Sequence, residues 1–172
     1  MIKTLILVRH ATAEEDNFRI KDFERQLVSK GLSEAALMGK WFRQNAIDPD
    51  RFITSTAARA YKTAEVVADQ LHVDISGIVL EGSLYNGGPK AYLSAVNDTP
   101  KDTSVLVLFG HNPDITYFGE YLSGKDLGSM KKGSAVILNF QNLEWDEISA
   151  KTGVFVSYTT PKDVIKEQGE NE

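Results

Sequence analysis

Cysteine is absent from the 172 residues, which removes disulfide scaffolds, Cys-ligated zinc clusters and thiol nucleophiles together. Proline is scarce, with five residues, and no apolar run approaches the ~18–20 residues of a membrane-spanning helix. The Leu5–Val8 stretch is too short for a signal h-region and leads straight into Arg9-His10, so it reads as mature protein with the cytoplasm as its expected location. Basic charge is in deficit: 19 Lys and Arg face 24 Asp and Glu, a formal net charge of −5. A general nucleic-acid binder shows the opposite balance. Neither nucleic acid nor membrane is therefore expected as a partner. What remains is an apolar content of 42%, ordinary for one globular core in a chain of this length.

Apolar runs alternate with segments of helical period, the pattern of an α/β fold: a three-layer α/β/α sandwich around a mostly parallel sheet. Ile2–Val8 and Ser104–Phe109 are the best strands, nearly continuous in apolar residues as strands covered on both faces are. Phe52–Thr54 is a short strand and Ile75–Leu80 a weaker one. Leu32, Ala35, Ala36, Gly39 and Phe42 recur at helical spacing within a predicted helix over 29–45, and Ala57, Ala60, Ala64, Val67, Ala68 and Leu71 do so over 57–71. A short helix is expected around Lys90–Val96. Asn112 suits an N-cap and Pro113 a first helical position, so another should run to about Ser123. Gly133–Phe140, Glu144–Ala150 and Val154–Tyr158 read as consecutive strands of an antiparallel edge. No linker or repeat interrupts residues 1–160, which are expected to form one domain; the polar residues 161–172 are expected to fray.

Two of the three histidines, His10 and His111, follow or nearly follow the two best strands. In a parallel α/β sheet, ligands bind outside the carboxyl ends of the strands, where both residues would emerge. His72, at a helix end where a cation favours the dipole, reads as a solvated cap. Arg9 adjoins His10, Arg25 lies in the polar loop after the first strand, and Arg59 falls in the first turn of a helix. A cation there opposes the helix dipole, and a broken local rule points to function. Guanidinium groups match phosphate oxygens bidentately, and the helix start at Asn112 adds backbone N–H groups that also seek an anion. With no cysteine, a neutral imidazole is the candidate nucleophile for phosphoryl transfer. Nearby cations should hold its pKa down, and its other ring nitrogen should donate to a backbone carbonyl. A metal site of His10, His111, Asp114 and Glu14 ranks lower because the arginines would repel a dication, so no metal and no cofactor is expected.

These residues resemble the histidine phosphatase, or phosphoglycerate mutase-like, superfamily and most nearly its small bacterial branch, the SixA-type phosphohistidine phosphatases. Leu7-Val8-Arg9-His10-Ala11 is similar to the Arg-His-Gly signature. The segments 22–31 and 54–64 are similar to the branch's acidic-x-x-Arg-Pro-Leu and Ser-x-x-Arg-Ala-x-x-Thr-Ala elements, and Gly110-His111-Asn112-Pro113 to its Gly-His-Asn-Pro element. The resemblance implies that His10 is the phosphorylated nucleophile, that Arg9, Arg59 and His111 form the phosphate pocket, and that Arg25 lines it. Ala11 stands where the family usually has Gly, a change tolerable at negative φ. Gln26 and Val28 replace a Pro and a hydroxyl N-cap, leaving Ser29 to cap the helix.

Asn112 stands where another branch has a proton-donating Asp, and Asn cannot protonate a leaving group. Glu81, after the Gly77–Leu80 strand, is the candidate donor, with Glu14, Glu15 and Asp16 behind it. A leaving imidazole is protonated by solvent more easily than an alkoxide, so the expected substrate is phosphohistidine on a signalling or phosphotransfer protein. Hydrolysis or transfer of small phosphate esters is the first alternative. A non-catalytic phosphate- or phosphoprotein-binding module is the second. No feature of the sequence fixes an oligomeric state.

Overall fold

The computed structural model describes residues 1–170. Six strands, β1 (Ile2–Arg9), β2 (Arg51–Thr54), β3 (Val79–Leu80), β4 (Val105–Gly110), β5 (Ala135–Gln141) and β6 (Val154–Thr159), form one sheet in the order β3-β2-β4-β1-β5-β6. The first four in that order are parallel, whereas β5 runs antiparallel to both β1 and β6. The helices are α1 (Ser29–Gln44), α2 (Ala58–Gln70), α3 (Pro89–Asn97), α4 (Asp114–Ser123) and α5 (Pro161–Glu170). This is the expected three-layer α/β/α arrangement.

Period-two alternation in the central strands splits the core in two. Leu5 and Leu7 of β1, with Leu106 and Leu108 of β4, face Tyr92 and Val96 of α3 and Ile115, Phe118 and Leu122 of α4. Ile6, Val8, Val107 and Phe109 face the other way, onto Met38 and Phe42 of α1, Ala64, Val67 and Ala68 of α2, and Val164 of α5. Both faces of β1 are thus buried, which is why its end reads as an unbroken apolar run.

The carboxyl ends of β2, β4 and β1 lie side by side. Arg9 is in register with Gly110 and Thr54 with Phe109. The amides of His10 and Ser55 extend these ladders by donating to Gly110 O (3.1 Å) and Phe109 O (3.1 Å). The chain therefore leaves three adjacent strands at His10, Ser55 and His111. Gly31 at the start of α1 lets that helix press on the first loop, for a Cβ there would stand 2.0 Å from Thr12 O.

Four expectations need correction. Residues 144–150 are not a strand: Trp145–Glu147 is a 3₁₀ turn with a capping box between Glu144 and Glu147, burying Trp145 and Ile148 in the α3/α4 layer. Ile75–Gly77 is likewise a 3₁₀ turn, leaving β3 only two residues. Val28 rather than Ser29 occupies the N-cap of α1, without a side-chain cap. Residues 161–170 of the predicted tail form α5, whose Pro161 and Val164 are buried and whose Glu167 accepts from Trp41 Nε1 at 3.3 Å. Residues 171 and 172 lie outside the described residues.

Candidate active site

His10 is 7% exposed and its two ring nitrogens have opposite partners. Nδ1 sits 2.8 Å from Ala11 O, which can only accept, and Nε2 receives Arg59 Nε at 3.4 Å, which can only donate. Together they place the proton on Nδ1 and the lone pair on Nε2. The backbone-carbonyl partner anticipated for the ring is therefore Ala11, whose φ is not positive. Burial, ahead of the charges of His111, Arg59 and Arg9, pushes the His10 pKa down to about 3. The anticipated cationic neighbours thus act second to desolvation. At pH 7 the imidazole is therefore neutral.

His111 lies against it, with ring centroids 5.2 Å apart. Its Nε2 is 2.8 Å from Ser55 Oγ. That oxygen also accepts from the Ala57 amide at 3.2 Å, and among the described residues its hydroxyl proton has no acceptor other than Nε2, an arrangement that leaves the imidazole proton on Nδ1. Burial, followed by the charge of Arg59, lowers the His111 pKa to about 4. The His111 amide donates to Tyr92 Oη at 2.9 Å, and Tyr92 donates onward to Leu84 O. Gly110 leaves room for that hydroxyl, since a Cβ would meet Tyr92 Oη at 2.2 Å and force it aside.

Arg59, 6% exposed, enters from the second position of α2. Its Nη1 and Nη2 donate to Asp22 O (2.8 Å) and Asp22 Oδ2 (3.1 Å). The unfavourable first-turn cation is thus held by a carboxylate from the first loop, and two of its five N–H groups remain for a ligand. Asp22 also accepts from Arg25 Nε at 3.0 Å and from Tyr85 Oη at 2.5 Å. Tyr85 packs edge-on to His111, ring centroids 5.6 Å apart. The Tyr85 hydrogen bond, and then Arg59 and Arg25, hold the Asp22 carboxyl at about 2 against the opposing effect of burial. Arg25 reaches the cluster only through Asp22 and ties Glu14 O (2.6 Å) to it, so it braces the rim.

Arg9 donates through Nη1 to Met130 O (2.8 Å), and its Nε is buried without a partner. His111 Nδ1 is buried without a partner too. An unsatisfied buried donor costs about 1–3 kcal/mol. Two of them near the neutral His10 imidazole mark a place suited to acceptor oxygens.

Asn112 is neither N-cap nor open donor. Pro113 holds the N-cap position of α4, while Asn112 Nδ2 donates to Met130 O (2.9 Å) and Ser129 Oγ, and its Oδ1 accepts from Thr116 at 2.6 Å. It clamps the 129–130 segment that holds Arg9. Glu81 sits at the same sheet edge, its amide bonded to Thr54 O, but its carboxylate caps the next turn through Ser83 Oγ at 2.7 Å. No hydrogen bond joins it to either histidine. Asp22, Tyr85 and Ser55 join the cluster beyond the residues expected from sequence; their signals were the acidic-x-x-Arg element that Asp22 opens and a serine directly after the Phe52–Thr54 strand. Among the described residues no three His, Asp or Glu side chains are grouped as metal ligands.

Residues 5–78 match the family model of the histidine phosphatase superfamily (branch 1). An uncharacterised protein of Mycobacterium tuberculosis is 32% identical over 107 residues, 62% of this chain, and the chain spans only 63% of that relative's length. The phosphohistidine phosphatase SixA of Escherichia coli is 27% identical over 135 residues, 77% of this chain and 81% of SixA. The SixA structure from Nakamurella multipartitia shares the fold, with a TM-score of 0.83 at 24% identity over 94% of this chain and 97% of its own. Residues 5–78 thus resemble the histidine phosphatase superfamily, and the fold is shared with the Nakamurella structure over nearly the whole chain.

Proposed function

We propose that this protein is a metal-independent phosphatase that passes a phosphoryl group through His10, with phosphohistidine on a signalling or phosphotransfer protein as its substrate. The observation that carries the reading is the buried His10 ring, neutral with its lone pair on Nε2, beside the unpartnered His111 Nδ1 and Arg9 Nε. In the first step Nε2 forms a bond to phosphorus as the bond from phosphorus to the leaving imidazole nitrogen breaks. That imidazole takes its proton from solvent. In the second step water attacks phosphorus, the P–Nε2 bond breaks, and inorganic phosphate departs as His10 returns to its neutral form. Arg9, Arg59 and His111 supply N–H groups to the equatorial oxygens, where charge spreads in the transition state.

The choice of leaving group follows from acids that the site does not present. Asp22 is ionised far below neutrality, Asn112 cannot donate an acidic proton, and Glu81 is engaged with Ser83. An alkoxide leaving group needs an acid more than an imidazole does. The likeness to E. coli SixA supports the same substrate class. Turnover of phosphoimidazole and of an alkyl phosphate by the same preparation, with and without a chelator, tests the reading. Faster phosphoimidazole hydrolysis, indifferent to chelator, is expected; faster alkyl ester hydrolysis, or loss of activity to the chelator, would overturn it.

A further inference from the structure

A groove of about 770 Å³ runs between α1, α5 and the segment before β5. It meets the His10 cluster at Arg9, which lines both. Four lysines, Lys30, Lys131, Lys132 and Lys162, line it with Arg9, against a single carboxylate, Glu34. Glu34 is spent on the Thr12 amide at 2.9 Å. None of the five cations has a carboxylate within 4.0 Å among the described residues. In a chain of net charge −5, so many uncompensated cations in one groove are a local reversal of the surface field. The wall is apolar where Leu37, Pro161 and Ile165 meet it, and Ile165 is 60% exposed. No aromatic side chain lines it, so it offers no stacking platform for nucleotide bases.

We infer that this groove docks an acidic, partly apolar segment of the phosphoprotein whose phosphoryl group enters the site at Arg9. The inference rests on the proposed phosphatase reading and adds the chemistry of the partner. Carboxylates of the partner meet the lysine rim, and one apolar side chain covers Leu37 and Ile165. The backbone joins the two regions: the Gly133 amide, directly after Lys132, donates to Arg9 O (3.0 Å) and His10 O (3.1 Å). An occupant of the groove therefore lies one strand end away from the nucleophile.

The test uses two synthetic phosphohistidine peptides, one flanked by four glutamates and one by four serines, alongside phosphoimidazole. The wild-type chain should prefer the acidic peptide by about tenfold in kcat/KM at low salt, mainly through KM, since exposed ion pairs are individually weak and only several together reach that size. The triple variant Lys131→Glu, Lys132→Glu, Lys162→Glu should lose the preference and keep its phosphoimidazole turnover. A preference that is absent, or that survives in the variant, overturns the docking inference while leaving the phosphatase reading intact. Loss of phosphoimidazole turnover in the variant would assign the lysines to the reaction site instead and overturn it as well. Oligonucleotide binding in the groove without any peptide preference would assign it to another class of partner. If the wild-type chain does not hydrolyse phosphoimidazole, the phosphatase reading fails and the docking inference fails with it.

Discussion

A histidine can attack phosphorus only when unprotonated, the state that burial of the ring favours for His10 and that the proposed mechanism requires. The same burial makes both His10 and His111 insensitive to mild acid. Their ring resonances in NMR spectra should show no titration midpoint between pH 8 and 5; a midpoint near 6 for either would contradict the buried placement. Fixing the tautomer of His111 falls to Ser55. Replacing it with Ala removes the donor to Nε2 and should lower kcat/KM about tenfold, mostly in kcat, because the His111 Nδ1 proton is needed most as charge develops on the phosphoryl oxygens. Asp22 organises the cations. Its side chain is 41% exposed, so Asp22→Asn should change unfolding stability by less than about 1 kcal/mol. Rate should suffer more, with kcat/KM falling about tenfold as Arg59 loses its brace. Equal rates for Asp22→Asn and wild type would remove that role.

Strand ends do at the level of elements what rotamers do for residues. β1, β2 and β4 are neighbours in register, so His10, Ser55 and His111, the first residue after each strand, converge without help from a flexible loop. Tyr92 on α3 ties this arrangement to the core by holding the His111 amide. Gly110→Ala forces Tyr92 aside and should destabilise the fold by about 1–3 kcal/mol and slow turnover together; chemical denaturation and kinetics on one sample would show whether the two losses coincide. The central strands and α1 and α2 were legible because their apolar residues follow one period over many positions. α5 was not, since only Pro161 and Val164 are buried and their neighbours on α1 and in the sheet lie far away in the chain. The 144–150 segment misled for the opposite reason: Trp145 and Ile148 are deeply buried apolar residues three apart, in a turn rather than a strand. His10, His111 and Arg59 could be read from strand and helix ends. Asp22 was marked only as the acid of the 22–25 acidic-x-x-Arg element, for nothing in a polar loop of several acids shows which of them will meet an arginine 37 positions on.

Over the whole molecule, the buried groups share one sign in their response to acid. His10 and His111 bind protons more readily unfolded than folded, so between the ordinary histidine pKa near 6.5 and their folded values of about 3 and 4, stability falls as pH falls. Asp22 contributes stability above the ordinary carboxylate range, lost as pH drops toward its folded value of about 2. The chain should therefore lose stability monotonically from pH 6.5 down to 3, and a denaturation midpoint that rises over that interval would contradict the burial of the cluster. The net charge of −5 surrounds a cationic centre, a contrast that on the proposed reading favours one phosphoryl group over diffuse polyanions. The central claim is tested most directly by quenching the protein during turnover of labelled phosphoimidazole and mapping the label. Acid-labile, base-stable phosphate on His10, absent in His10→Ala along with activity, is the predicted result. Label on any other residue, or undiminished activity in His10→Ala, would contradict it.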